Sequence, residues 1–221
     1  LEMALSTAVL LGWTLLGGLS LVNDAVMQAL GAGMTQQLAL LVAFVVIGSV
    51  IDLPMSWYQT FVLEERFGFN KTTLRLWLVD MLKGSAIGAL IGLPIAAFIL
   101  WVMAATGGFW WLWAWLFWMG FNLLLLVIFP TLIAPLFNKF VPLEDDALKA
   151  RVTALMQRCG FAAKGLFVMD GSKRSAHANA YFTGFGAAKR VVFYDTLLSK
   201  LSAGEVDAVL AHELGHFKHK H

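Results

Sequence analysis

The sequence predicts a mainly α protein in which polytopic transmembrane helices are followed by a small α+β domain. Three observations carry that expectation. Hydrophobic residues make up 59% of the 221 and charged residues only 14%, with a mean hydropathy of +0.75, where a soluble domain carries about 25% charged residues. The charges are also segregated, because residues 3–23, 25–51 and 84–138 contain no Asp, Glu, Lys, Arg or His. From Asn138 onward the composition becomes that of a soluble domain, with 12 basic and 8 acidic residues against 4 and 6 before it.

A membrane-crossing helix needs about 20 apolar residues, and four spans fit the pattern, at about 3–22, 38–60, 84–105 and 109–137. Thr, Ser and Gly dilute the first. Gly107-Gly108 marks the turn between the last two, and Trp101, Trp110, Trp111, Trp113, Trp115 and Trp118 cluster around it. Such a cluster suits an interfacial aromatic belt or a cavity wall. Arg66, Lys71, Arg75 and Lys83 lie between the second and third spans, and the remaining basic residues follow Phe137. Four spans put both groups on one side, which the positive-inside rule makes cytoplasmic. The division is then a membrane region at 1–138 and a cytoplasmic-side domain at 139–221. The short connections point to a bacterial plasma (inner) membrane in preference to the endoplasmic reticulum.

Pro130, Pro135 and Pro142 punctuate the exit from the last span, where a proline kinks a helix and frees carbonyls that need partners. Leu143–Cys159 reads as an amphipathic helix with Leu148, Val152 and Leu155 on its apolar face and Gly160 closing it. Leu166–Met169 is a short strand before the turn Asp170-Gly171-Ser172. Residues 178–184, a loop through Gly186 and Arg190–Tyr194 form a β-hairpin. The lone Cys159 excludes an internal disulfide. A net charge of +2 without a basic stripe gives no reason to expect nucleic acid as a partner.

The last element concentrates the chemistry. Ser202 and Glu205 form a capping box, and the helix begun there carries Val206, Val209, Leu210, Leu214 and Phe217 on a buried flank. It also carries His212-Glu213-Leu214-Gly215-His216, the pattern H-E-x-x-H. Four residues make slightly more than one helical turn, so His212 and His216 project from one face and can grip one zinc ion. Glu213 is placed to take a proton from water held there. This makes the α+β part a zincin-like domain and the reaction a hydrolysis. His219 is about 10 Å along the helix from His212 and cannot meet the same ion. Two other readings stay open. One is a membrane metal-ion binding or transport protein; the other is a catalytically inactive scaffold with an incomplete zinc site.

Several strings resemble the type I CAAX prenyl protease family. They are Pro135-Leu136-Phe137-Asn138-Lys139-Phe140, Gly171-Ser172-Lys173-Arg174-Ser175-Ala176-His177-Ala178-Asn179-Ala180-Tyr181-Phe182, Lys189-Arg190-Val191-Val192-Phe193-Tyr194-Asp195, and the H-E-x-x-H helix, with Glu64-Glu65 and Gly68-Phe69-Asn70 upstream. The resemblance implies an integral-membrane zinc metalloendopeptidase that acts near the C-terminus of prenylated proteins, with peptide or protein substrates and the lipid bilayer as partners. It implies His212 and His216 as zinc ligands, Glu213 as general base, and Asn179, Ala180 and Tyr181 in the strand that holds substrate backbone. It implies a third ligand, a Glu on a later helix beyond His221, so the chain reads as a fragment of that family. His177 falls within the substrate-strand string, and its role there stays open between a residue near the site and an ordinary surface histidine.

Overall fold

Apolar runs fold as helices because lipid leaves each backbone N–H and C=O to be paired within its own segment. The computed structural model describes residues 2–161, 163–183 and 189–219, with the side chains of Glu2 and of residues 216–219 outside the description. Its contacts form two units, residues 1–64 with 78–117 and residues 65–77 with 118–221. The division at 138 rests on solvent preference and this one on packing, so they cut the chain differently.

In the first unit, α1 (Glu2–Thr14), α2 (Gly18–Leu30) and α3 (Met34–Tyr58) follow one another. The stretch expected to span at 3–22 falls in α1 and the start of α2, which are bent by 52° at their break. Gly17 makes the break with φ +77°, a left-handed conformation that a side chain would strain. Gln36, only 6% exposed, donates from Nε2 to Asn23 Oδ1 at 2.7 Å and ties α3 to α2. In lipid an unmet amide would cost more than in water.

α3 runs through a π turn (Gln59–Leu63) into α4 (Glu64–Arg66). α5 (Leu74–Ala105) starts ten residues before the charge-free stretch, taking Arg75, Asp80 and Lys83 into its first turns. α6 (Trp110–Ile128) passes through a second π turn (Phe129–Ile133) into α7 (Ala134–Phe137). Pro130 sits in that second wide turn. Beside it the Thr131 hydroxyl donates to Val127 O at 2.8 Å, giving a carbonyl near the break a partner. Among the described residues three helices, Met34–Arg66, Leu74–Ala105 and Gly107–Phe137, are long and apolar enough to cross a membrane, and the bent pair can count as a fourth.

The second unit carries β1 (Phe140–Pro142), α8 (Asp146–Arg158), β2 (Gly165–Met169), β3 (Ala180–Thr183), β4 (Arg190–Tyr194), α9 (Asp195–Lys200) and α10 (Ala203–His219). The strands form one mixed sheet in the order β1-β2-β4-β3. β2 and β4 are parallel, with Phe167 opposite Val192, and both outer pairings are antiparallel. The short strand β1 is an element that the sequence reading did not contain. Its Pro142 ends an outer strand, where a missing N–H is tolerated. The expected helix 143–159 is α8, shortened because Asp145 caps it by accepting the Leu148 N–H at 2.9 Å. The core gathers Val152 of α8, Val191 and Phe193 of β4, Leu197 of α9, and Val206, Leu210 and Leu214 of α10. Arg151 of α8 grips Asp207 of α10 through Nε at 3.1 Å and Nη2 at 2.6 Å. The hairpin expected from the sequence is β3 with β4, while its loop at 184–188 lies outside the described residues.

Candidate functional site

Helix α10 is positioned at its start and along its buried flank. Glu205 accepts from both the Ser202 backbone N–H and the Ser202 hydroxyl, each at 2.7 Å, so the expected capping box forms by that half. The hydroxyl, then the backbone N–H, holds the Glu205 carboxyl below its usual range. A depressed carboxyl adds stability above its unfolded pKa and loses it as pH falls through the folded value. Ser202→Ala is therefore expected to lower thermal stability at pH 7, with the difference from the parent closing below about pH 4. Unfolding scans at the two pH values check this.

Val206, Leu210 and Leu214 are 2%, 1% and 0% exposed, which leaves His212 exposed and Glu213 half-buried. α10 is helical from Ala203 to His219, so His212 and His216 lie on successive turns of one helix. The side chains of His216 and Phe217, and that of His219, lie outside the described residues. Among the described residues no three His, Cys, Asp or Glu side chains gather as a metal cluster. The donor chemistry fits zinc as far as it goes, since imidazoles four residues apart on a helix suit a tetrahedral ion.

α10 packs against β3 and α8. β3 is one of the two outer strands of the sheet, and among the described residues no strand pairs with its far side. The Tyr194 N–H donates to Asn179 O at 2.9 Å, so Asn179 and Tyr194 form a hydrogen-bonded pair. By the antiparallel alternation Tyr181 and Thr183 bond inward to β4, and the backbone groups of Ala180 and Phe182 face outward. Asn179 is exposed, and its Oδ1 accepts the Ala180 N–H at 2.8 Å. Ala180 is 3% exposed, with its methyl in the core. Tyr181 lies half-buried on the other face, its hydroxyl 3.9 Å from Met169 Sδ and its ring edge-on to Tyr194. Burial first, and the neighbouring Tyr194 second, push its phenol pKa up, so it stays neutral at physiological pH.

The structure thus brings the helix of His212 and Glu213 beside the strand of Ala180 and Tyr181, with Asn179 at that strand's entry. The sequence reading missed the docking of the loop between α4 and α5 on residues 174–177. Thr72 donates to Arg174 O across 102 positions, a contact that no local spacing encodes.

Comparison with known proteins places this arrangement. Residues 1–139 match the family model of the CAAX prenyl protease N-terminal region, described as five membrane helices, and residues 142–221 match that of peptidase family M48. The chain belongs to the M48 peptidase family. It is 46% identical over 178 residues to the CAAX prenyl protease 1 of Saccharomyces cerevisiae, which covers 79% of this chain and 39% of that protein. The Arabidopsis thaliana homologue is 45% identical over 173 residues, covering 78% of this chain and 41% of the relative. The Homo sapiens homologue is 34% identical over 224 residues, covering 85% and 47%. The crystal structure of S. mikatae Ste24p superposes with a TM-score of 0.80 at 43% identity, covering 86% of this chain and 44% of that one. The M48 chain described here therefore spans less than half the length of these relatives. Its fold is the expected one, mainly α and multi-pass with a small α+β domain.

Proposed function

We propose that this chain carries part of a membrane zinc metalloendopeptidase that hydrolyses peptide bonds near the C-terminus of prenylated CAAX-type proteins or of membrane proteins. The observation that carries the reading is the H-E-x-x-H helix α10 packed beside the outer strand β3. The names of the relatives support the substrate class.

His212 and His216 would hold the metal, and a third protein ligand would complete the set. Zinc, when bound, supplies Lewis-acid polarisation of the scissile carbonyl and acidifies water. The Glu213 carboxylate accepts the proton of the attacking water and returns it to the leaving amine. The outward Ala180 carbonyl and the outward backbone groups of Phe182 pair with an extended substrate, a mode that accepts many side chains because it reads only main chain. Asn179 and Tyr181 fix the strand on either side of Ala180. Beyond Thr183 opens an apolar groove of about 260 Å³ lined by Leu125, Leu126, Phe129 and Pro130, suited to a hydrophobic part of the substrate.

Residues 1–138 form the membrane part and 139–221 the start of the protease domain, with both basic regions on the cytoplasmic side. The relatives named above are eukaryotic and lend no weight to a bacterial membrane. The orientation is the same in either compartment.

The test is proteolysis by the intact protein in lipid vesicles, using a farnesylated Cys-a-a-X peptide. Release of the last three residues, faster than from the unprenylated peptide, is expected. A zinc-loaded protein that leaves the peptide whole would favour an inert scaffold, and zinc flux without cleavage would favour transport.

A further inference from the structure

We infer that the loop at 67–73, through Phe69 stacked on His177, positions the substrate strand β3. Phe69 and His177 are then positioning residues that act through Asn179, Ala180 and Tyr181. The inference rests on the proposed role of β3 in holding substrate.

The loop is built before it docks. Gly68 turns with φ +73°, its N–H donating to Glu65 O at 3.0 Å. Asn70 Nδ2 donates to Glu65 Oε2 at 2.9 Å, and Asn70 Oδ1 accepts the Thr72 N–H at 2.8 Å. The Thr73 hydroxyl oxygen accepts the Leu76 N–H at 3.2 Å, at the start of α5. Side chains of this kind pre-form a turn and lower the entropy lost when it binds.

That loop meets the stretch leading into β3 mainly through backbone. The Ala176 N–H donates to Phe69 O at 2.8 Å and the Lys71 N–H donates to Arg174 O at 3.0 Å, with Asn70 bridged to Ser175. The Phe69 ring stacks on the His177 imidazole with centroids 4.0 Å apart and planes 17° apart. From the other side, Thr196 of α9 donates its hydroxyl to His177 O at 2.7 Å, and Lys200 Nζ donates to Ala176 O. Residues 174–177 are therefore clamped between the loop and α9, two positions before Asn179. Main-chain pairing sets where the strand begins, and the ring stack sets its rotation at 177.

His177 is exposed and Phe69 is 36% exposed. Neither belongs to the buried core, so the stack orders this stretch locally while the core holds the fold.

The experiment measures hydrogen exchange over residues 176–183 in the intact protein, together with KM and kcat for a farnesylated Cys-a-a-X peptide. Phe69→Ala is expected to speed exchange there about five-fold, the size of one lost aromatic stack, with α8 and α10 unchanged. KM should rise by about the same factor while kcat holds within about two-fold, because uniform binding is what is lost. Phe69→Tyr and His177→Phe keep the stack and should restore both values. Unchanged exchange in Phe69→Ala, no rescue by Phe69→Tyr, or a loss confined to kcat would overturn the inference. Exchange needs no turnover, so an intact protein that cleaves no peptide counts against the proposed function while exchange still decides this one.

Discussion

Glu213→Gln is expected to cut peptide hydrolysis severely while leaving zinc bound. The substitution keeps the size of the side chain and removes its ability to accept a proton, so a rate loss of about 10²- to 10⁴-fold is expected from the missing base. Glu213 is half-buried on α10, next to the fully buried Leu214, and a neutral amide of the same shape leaves that packing intact. The result separates the base from the ligands, since losing His212 or His216 should remove metal and activity together. Parallel measurement of turnover and bound zinc checks it. Full activity in Glu213→Gln would sink the assignment.

Leu214→Ala is the second large effect, and it acts through the scaffold. Leu214 lies inside the H-E-x-x-H motif, is 0% exposed, and belongs to the cluster that includes Val152, Phe193 and Leu210. Truncating a fully buried leucine leaves a cavity and costs about 3 kcal/mol. The void lies under the turn that carries Glu213, so activity should fall with stability, and more steeply than for an equally destabilising change far from α10. Denaturation and turnover measured on Leu214→Ala and Val152→Ala make that comparison. Equal activity loss per unit of stability lost would show that Leu214 does no more than fill the core.

The charge-free stretches made the long helices legible, because membrane insertion is decided by composition over about 20 residues. The bend at Gly17 had no signal in hydropathy, because one left-handed residue separates two apolar helices that pass together as a candidate span. Phe140-Val141-Pro142 has too few residues to display alternation, and only its register against Phe167, Val168 and Met169 makes it a strand. The hairpin was readable from its own residues. That β3 is an outer strand follows from β2 choosing β4 as a parallel partner, a tertiary choice that local pattern does not carry. The motif on α10 was legible because its geometry is contained in five residues. The stack of Phe69 on His177 joins loops from distant parts of the chain and had no local signal.

The most direct measurement is the zinc content of the intact protein beside that of His212→Ala and His216→Ala. About one zinc per chain in the parent, lost together with hydrolysis in each variant, is the predicted result. Zinc and hydrolysis retained in both variants would contradict a catalytic metal held by this helix.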